Sequence, residues 1–366
     1  YILAAVAIIG AVWTAIALRR GKLRSIVTPV IVYVTVLILG QGASVVVQNF
    51  IVSPNEFYRE EPYLQHNLEF TRAAYGLDNM EVKEHPGNVD SLDEELVERN
   101  ELTINNIRIN DSRPLLDIYN QLQTFRTYYQ FNDIDIDRYE IDGEYQQVFL
   151  GARELNTIDL PDQAQTWVNR TLRYTHGYGI AMSQVNSVTS QGQPQYMVRN
   201  LPPQGVIDVT RPQIYFGEED YQTVIVDTAV NEFDYPSGDE NVTNRYEEEA
   251  GIPMTMLNRL LFALDEGSFR ILVSGQINED SKLLQTRNIM DRVTRIAPFF
   301  EYDPDPYIFV RDDGSLAWMM DAYLIEEGYP YAESFEGSRN YIKNPVKVVV
   351  DAYTGDVDFY ITDPEE

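Results

Sequence analysis

The first 52 residues contain no acidic side chain, and this absence constrains the chain more than any other feature of its sequence. Two long apolar stretches lie here, at residues 1–18 and from residue 26 to about residue 47, and neither contains a charged residue. About 20 consecutive apolar residues span the hydrocarbon core of a bilayer as a helix. Buried core helices are the alternative, but 22 residues without one charge are uncommon in such a helix. The two stretches therefore predict two transmembrane helices.

The link between the two stretches, residues 19–25, is basic and begins with RRGKLR. Basic loops of membrane proteins are found preferentially in the cytoplasm. A cleaved signal peptide would account for one apolar stretch but not for two that flank a basic loop. We therefore expect a helical hairpin in a membrane, with both ends outside and residues 53–366 extracytoplasmic.

The composition changes sharply after this hairpin. The chain has 366 residues, with 57 Asp and Glu against 28 Lys and Arg, and residues 53–366 alone carry a net charge of −33. So acidic a region argues against nucleic-acid binding, which needs basic side chains to neutralise phosphates. The chain has no cysteine. This excludes disulfide scaffolds, thiolate zinc sites, iron–sulfur clusters and cysteine nucleophiles.

Helical and strand patterns are mixed after residue 52. Apolar residues at helical spacing predict a helix capped by Ser112, one at residues 254–266 and one at about residues 281–297. In the last of these, Arg287 and Asp291 would form an i,i+4 ion pair. Four leucines of the second helix are predicted to face the core: Leu257, Leu260, Leu261 and Leu264. The β-branched and aromatic run at residues 269–274 predicts a strand.

The end of the chain has the pattern of two antiparallel hairpins, with turns at Asp312-Asp313-Gly314 and at Thr354-Gly355. The predicted fold class is therefore a membrane-anchored α+β protein. Two transmembrane helices in residues 1–52 precede a mixed α+β ectodomain with antiparallel hairpins. Polar connectors, one of them at residues 200–213, divide this ectodomain into predicted regions 53–205 and 206–366.

Three carboxylates alternate along one predicted strand, at Asp133, Asp135 and Asp137. Such a strand places all three on one face, with neighbours about 7 Å apart. Ca²⁺ or Mg²⁺ would be bound by carboxylate oxygens of this kind, so these residues predict a cation site. The alternative is a solvated strand face with Ile134 and Ile136 packed below. A second acidic group follows later in the chain and comprises Asp303, Asp305, Asp312 and Asp313.

His176 is the candidate catalytic residue, because two glycines follow it and because imidazole acts as a general base near neutral pH. A hydrolase would pair it with Ser183 or Ser187 and with a carboxylate such as Glu154. No GxSxG motif is present, and a structural histidine in a turn is the alternative. A zinc site is not expected, since the three histidines are scattered and HExxH is absent.

Several long phrases resemble a known family. The chain is similar over residues 20–366 to the membrane proteins of uncharacterised protein family 0182 (UPF0182), on phrases that include NIRINDSRPLLDIYNQLQTFRTYYQF, QTWVNRTLRYTHGYGIAMSQVN, RNIMDRVTRIAPFFEYDPDPY and NPVKVVVDAYTGDVDFY. The resemblance implies a polytopic protein of the bacterial plasma membrane, with several transmembrane helices before a large extracytoplasmic part. It also implies that this chain is a fragment with further spans upstream and a continuation downstream. It supplies no catalytic residue.

The favoured function is non-enzymatic: an integral membrane protein whose acidic ectodomain binds a partner or has a structural role in the envelope. The predicted partners are the lipid bilayer and envelope proteins or polymers, with Ca²⁺ or Mg²⁺ as the only predicted cofactor. Two alternatives stay open. One is an extracytoplasmic hydrolase that uses His176 and carboxylates, and the other is a transport-associated membrane component.

Overall fold

The computed structural model of the chain describes residues 1–21, 23–84, 94–219, 221–238, 240–362 and 364. Lys22 of the basic loop and His85, one of the three histidines, lie outside these residues. The chain forms two compact units: unit 1 comprises residues 1–78 and 328–340, and unit 2 comprises residues 79–327 and 341–366. The division of the ectodomain after residue 205 stays a prediction.

Unit 1 begins with two apolar helices, α1 (Ile2–Arg19) and α2 (Val27–Val47), where both were predicted. Of the described side chains in these two helices, only Ala17 is buried within the protein. The two helices approach closely at Gly10, where a Cβ atom would lie 3.2 Å from Cβ of Pro29. Both helices are long and apolar enough to cross a membrane.

The third helix of unit 1, α3 (Glu56–Ala74), follows α2 through a π-helical turn (Gln48–Val52) and a 3-10 turn (Ser53–Asn55). Pro62 lies inside α3 and is exposed to solvent. Because the carbonyl that loses its partner at Pro62 can be hydrated on an exposed helix face, the helix continues past it.

Unit 1 is completed by residues 328–340, which lie against α3. Asn67 Nδ2 donates to the carbonyl oxygen of Tyr331 at 2.9 Å, and the backbone N–H of Glu333 donates to Thr71 Oγ1 at 2.9 Å. Ring contacts join the same surfaces, with centroids 5.7 Å apart for Phe70–Tyr331 and 6.0 Å apart for Tyr75–Phe335. Unit 1 is therefore formed by two segments that are far apart in the sequence.

The helices of unit 2 are short. In chain order they are α4 (Glu94–Arg99), α5 (Glu101–Ile104), α6 (Ser112–Gln123), α7 (Met256–Asp265), α8 (Phe269–Val273) and α9 (Ile289–Ile296).

The strands are listed here in chain order with their bounds: β1 (Tyr129–Gln130), β2 (Asp135–Ile141), β3 (Glu144–Ala152), β4 (Glu154–Leu155), β5 (Gly177–Tyr178), β6 (Ile180–Val188), β7 (Pro194–Arg199), β8 (Gln204–Gly205), β9 (Gln213–Ile214), β10 (Val224–Val226), β11 (Glu232–Ser237), β12 (Glu240–Asn244), β13 (Ile252–Pro253), β14 (Lys282–Leu284), β15 (Glu301–Tyr302), β16 (Tyr307–Val310), β17 (Leu316–Glu327), β18 (Arg339–Asp351) and β19 (Val357–Ile361).

Two five-stranded sheets form the body of unit 2. The first has the order β2-β3-β6-β7-β8, and each neighbouring pair is antiparallel. The second has the order β15-β17-β18-β19, and β16 also pairs with β17. Both predicted terminal hairpins are confirmed, as β16 with β17 and as β18 with β19. Gly314 and Gly355 adopt positive φ in their turns, which suits glycine.

The main hydrophobic core contains side chains of both sheets, among them Val148 and Met182 from the first and Trp318 and Val348 from the second. Trp318 is fully buried, and its indole N–H donates to the carbonyl oxygen of Phe216 at 2.9 Å. A smaller core lies on the opposite face of the first sheet, where α6 packs against it.

Helix α6 forms where it was predicted, but Ser112 is its first residue rather than its cap, and the side chain of Asp111 caps it by accepting from the N–H of Arg113. Three other predictions need correction. The leucines predicted to be buried in α7 are exposed, with 65% of Leu257 and 54% of Leu261 accessible, while Ala263 is buried. Both faces of this helix are apolar, so periodicity alone did not identify the face that packs.

The predicted strand at residues 269–274 is wrong, because this segment forms helix α8. Arg259 of α7 donates to the carbonyl oxygens of Ile271 at 3.1 Å and Ser274 at 2.6 Å, and so satisfies groups at the end of α8. This tertiary contact outweighs the strand propensity of the segment.

The predicted helix at residues 281–297 is also wrong in its first half, which forms β14 and pairs with β10 and β13. Helix α9 begins only after Asn288, whose side chain caps it by accepting from the N–H of Asp291 at 3.0 Å. Arg287 therefore precedes the helix, and its guanidinium is buried rather than paired with Asp291.

Candidate cation site

The carboxylates of Asp135 and Asp137 lie on the inner face of β2. They are half-buried, whereas Ile136 between them is exposed. Their partners in register on β3 are Leu150 and Val148, which belong to the main core. Ile136 is therefore not packed below the carboxylates as the solvated-face alternative expects, whereas Ile134 is buried.

Asp133 lies just before β2 and is held close to β3 by a glycine. A Cβ atom at Gly151 would lie 2.8 Å from the carbonyl oxygen of Asp133 and 2.9 Å from Ile134 Cδ1. Only glycine permits this approach without a shift of the backbone. Ile134 is buried in the smaller core and anchors the segment from the other side.

Asp305 belongs to the connection between β15 and β16 in the second sheet. It comes together with Asp133 and Asp135, and one carboxylate oxygen from each of the three lies within 4.8 Å of the other two. The two acidic groups of the sequence thus meet in space through this residue. Asp137 is not a member of the three, and its carboxylate accepts from the N–H of Arg138 at 2.7 Å.

Two further carboxylates lie beside these three. Glu154 of β4 is buried and accepts hydrogen bonds from Tyr221 Oη at 2.7 Å, from Asn132 Nδ2 at 3.0 Å and from the N–H of Glu218 at 3.0 Å. A Cβ atom at Gly217 would lie 2.0 Å from Glu154 Oε2, so a glycine is needed here for Glu154 to take this position. We call the five residues the acidic cluster: Asp133, Asp135, Glu154, Glu218 and Asp305.

Burial and mutual repulsion act on this cluster in the same direction. Burial, followed by the charge of Asp133, raises the pKa of Asp135, and burial raises the pKa of Asp133 beside Asp305. The pKa of Glu218 is raised by burial and then by the carboxylates around it. Burial raises the pKa of Glu154 to about 7, although its hydrogen bond from Tyr221 opposes the shift.

Ion pairs do not neutralise the cluster in the described residues, although the charge of Arg287 acts on Glu154 at longer range. In the described ranges of the chain, none of its five carboxylates forms an ion pair, and basic side chains pair elsewhere, as Arg311 does with Asp351. Asp135 Oδ2 is buried and has no hydrogen-bond partner. Such a cluster of carboxylates with raised pKa and no ion-pair partner destabilises the folded state unless protons or a cation are bound.

The donor set fits a hard divalent cation. Ca²⁺ takes six to eight oxygen ligands at about 2.3–2.6 Å, so two ligands of one ion are at most about 5 Å apart. The separations of Asp133, Asp135 and Asp305 meet this limit. These three carboxylates would be direct ligands, and Glu218 would add negative charge beside them.

His176 is placed differently from a catalytic base. It is fully buried, its Nε2 lies 3.2 Å from Asp234 Oδ1, and its Nδ1 lies 2.8 Å from Thr175 Oγ1 and 3.6 Å from Glu232 Oε2. Burial would lower the pKa of His176, but the hydrogen bonds of these carboxylates raise it. The imidazole is thus held between two carboxylates that favour its charged form.

Two other residues of the hydrolase hypothesis, Ser183 and Glu154, have separate partners. Ser183 accepts a hydrogen bond from Tyr119 Oη at 2.8 Å, and Glu154 belongs to the acidic cluster. None of the hydrogen bonds of His176 in the described structure involves a serine. His66 is exposed and contacts the rings of Phe70 and Tyr331.

Sequence reasoning missed Glu218 and Tyr221, which carry no periodic or motif signal. The only sequence signal was Gly217, which directly precedes two glutamates. Its lack of a side chain permits the close approach of the Glu154 carboxylate.

Taken together, the apolar helices, the mixed helix and antiparallel-sheet body and the acidic cluster define a class of acidic α+β proteins with an apolar helical N-terminal segment. The chain belongs to the uncharacterised protein family UPF0182, whose family model matches residues 1–366. The resemblance seen in the sequence phrases is confirmed.

Relatives named UPF0182 protein match most of this chain. The one from Alkaliphilus metalliredigens is 50% identical over 351 residues, which are 95% of this chain and 37% of that protein. The one from Pelotomaculum thermopropionicum is 49% identical over 353 residues, 95% of this chain and 38% of the relative. The one from Methanospirillum hungatei is 47% identical over 340 residues, 90% of this chain and 38% of the relative. The chain thus spans about two fifths of their length. No solved structure matches it.

Proposed function

We propose that this chain is a membrane-anchored envelope protein whose unit 2 lies outside the cytoplasm and is stabilised there by a bound divalent cation. The observation that carries the proposal is the convergence of Asp133, Asp135 and Asp305, whose oxygens are within reach of one ion. The role that follows is structural, because the ligands belong to two different sheets.

The cation would join the two sheets at a specific point. Asp133 and Asp135 come from the start of β2 in the first sheet, and Asp305 comes from the β15–β16 connection of the second. A protein hydrogen bond already links the same region, from the N–H of Val310 to Tyr139 Oη at 3.0 Å. A bound ion would add a charge-neutralising link and lower the repulsion within the acidic cluster.

Ca²⁺ suits the site better than Mg²⁺. Mg²⁺ demands an octahedral shell and commonly keeps several waters while it binds one or two carboxylates. Ca²⁺ accepts more oxygen ligands and less regular geometry, as a cluster assembled from separate segments would offer. We therefore expect the binding of Ca²⁺ to be tighter.

Thermal unfolding of the full chain in detergent tests the cation site. In CaCl₂ at about 100 times the dissociation constant, the folded state gains about 2.7 kcal/mol over the protein in EDTA. MgCl₂ at the same concentration should raise the melting temperature less, and NaCl of matched ionic strength least. If NaCl gives the whole shift, the carboxylates are only screened and the cation site is refuted.

The membrane location is supported by α1 and α2, which are charge-free in their apolar parts and flank a basic loop. Because the chain has no cysteine, single introduced cysteines report topology without background. We expect a membrane-impermeant maleimide to label Ser190→Cys in intact spheroplasts and Ser25→Cys only after permeabilisation. The reverse pattern, or release of the protein by alkaline carbonate, would contradict the proposed location.

A further inference from the structure

An amide-lined groove lies at the end of the first sheet, away from the acidic cluster. Strands β3 and β6 are paired from Ala152–Ile180 to Val148–Gln184, and β3 then continues unpaired with β6. The space beside these ends is a cavity of about 600 Å³. Six carboxamide side chains belong to its lining: Asn105, Asn106, Gln146, Gln147, Gln184 and Asn186.

The segment that follows α5 satisfies the backbone groups of the separated strands. Asn106 Nδ2 donates to the carbonyl oxygen of Tyr145 at 3.2 Å, and Asn106 Oδ1 accepts from the N–H of Gln147 at 2.6 Å. The N–H of Ile109 donates to the carbonyl oxygen of Val185 at 3.0 Å. A peptide strand could therefore not pair with β3 at Tyr145 and Gln147, because those backbone groups are already bonded.

Three of the six side-chain amides of the groove remain available. In the described structure, the carboxamides of Gln146, Gln147 and Gln184 form no hydrogen bond to protein. Each offers two N–H donors and a carbonyl oxygen with two lone pairs. Tyr145 also lines the groove, is 49% exposed and presents both an aromatic face and a hydroxyl.

This combination fits a neutral polyhydroxylated ligand. Sugar hydroxyls donate and accept at once, as carboxamides do, and the C–H face of a sugar ring packs against an aromatic ring. The charged residues of the lining are Glu101 and Glu144, both acidic, so an anionic polymer would be repelled. A volume of about 600 Å³ is in the range of sites that hold small organic ligands, such as a short oligosaccharide.

We infer that this groove binds a neutral glycan segment of two or three sugar residues, with Tyr145 as the stacking platform and the glutamine amides as hydroxyl ligands. The inference deepens the proposed function by naming the class of envelope polymer, and rests on it only for the extracytoplasmic location. Direct binding to the purified protein is independent of that location and of the cation site.

The test is saturation-transfer NMR and calorimetry on the full chain, in EDTA and in a detergent without a sugar headgroup. The probes are chitotriose and cellotriose, which separate recognition of N-acetyl groups from recognition of ring hydroxyls. A neutral pentapeptide of glycine and serine serves as the competing class. Binding of either trisaccharide at millimolar concentration is expected, and binding of the peptide alone would overturn the assignment.

Substitutions of groove residues test whether the trisaccharides bind in this groove. Tyr145→Ala, and separately Gln147→Ala combined with Gln184→Ala, are expected to weaken trisaccharide binding at least tenfold without changing the melting temperature in EDTA. Tyr145→Phe keeps the aromatic face and should bind within a few-fold of the unmodified protein. The matched controls are Tyr360→Ala, an exposed strand tyrosine outside the groove, and Gln204→Ala; both should bind normally. If neither trisaccharide binds the folded protein, or if Tyr145→Ala binds as well as the controls, the inference is wrong.

Discussion

Replacement of Arg287 by alanine is expected to destabilise unit 2 by about 3–5 kcal/mol, the largest effect of any single substitution considered. Its buried guanidinium donates to three carbonyl oxygens from separate segments: Tyr215 at 2.7 Å, Gln222 at 3.0 Å and Thr175. It also lies over the ring of Tyr221, 4.5 Å from the centroid. Alanine would leave these carbonyl groups unpaired in the interior.

Denaturant unfolding of the full chain measures this loss. Arg295→Ala is the matched control, since Arg295 is exposed and, among the described residues, its side chain bonds only to Thr286 Oγ1. It should change stability by at most about 0.5 kcal/mol. Arg287→Lys keeps the charge but loses the fork of donors, so it should fall between the two. Equal stability of Arg287→Ala and Arg295→Ala would show that these hydrogen bonds add nothing.

Replacement of Asp135 by asparagine is expected to act with opposite signs in the absence and presence of calcium. In EDTA the variant loses a repelled, half-buried carboxylate, and its unfolding free energy at pH 7.5 should rise by about 1–2 kcal/mol. In CaCl₂ it lacks a ligand, and the calcium-dependent shift of the melting temperature should largely disappear. A variant that is more stable without the ion and unresponsive to it separates ligation from general screening.

The pH dependence has a definite sign. The pKa of Asp135 is raised in the folded state, so the folded protein binds more protons than the unfolded chain above about pH 4. In EDTA the stability of the native protein should therefore fall as pH rises towards neutrality, and less steeply in Asp135→Asn. The stabilisation by calcium should instead grow with pH, because protons compete with the ion.

Substitutions at two neighbouring aspartates test which carboxylates bind the cation. Asp305→Asn should remove the calcium response as Asp135→Asn does, whereas Asp137→Asn should retain most of it, since Asp137 is outside the group of three. Loss of the response in Asp137→Asn together with its retention in Asp305→Asn would instead favour the three alternating aspartates of the sequence.

The sequence predicted those features that depend on local composition. The helices α1 and α2 follow from charge-free stretches, and the terminal hairpins follow from turn glycines between β-forming segments. Asp133 and Asp135 could be predicted as candidate cation ligands for the same reason, because they alternate along one predicted strand. What the sequence could not provide was the approach of Asp305, because it depends on how two sheets pack and not on any local pattern.

The misassigned segments have a common physical cause. Helix α7 is apolar on two faces, so the exposure of Leu257 depends on which face the rest of unit 2 contacts. Residues 269–274 and 282–284 are short segments whose secondary structure depends on tertiary contacts. The contact is with Arg259 for the first and with β10 for the second. Arg287 resembled a member of a helical ion pair until the position of the cap at Asn288 was known.

The completion of α3 by residues 328–340 has a consequence for how the protein is made. Asn67 and its partner Tyr331 are 264 residues apart, so at 5–20 residues per second translation separates them by roughly 13–50 s. During that interval the ring of Phe70 has left the ribosome while the segment it packs against has not been synthesised. Most strands of unit 2 emerge first. Packing of α3 against its partner segment is therefore delayed until residues 328–340 have been synthesised.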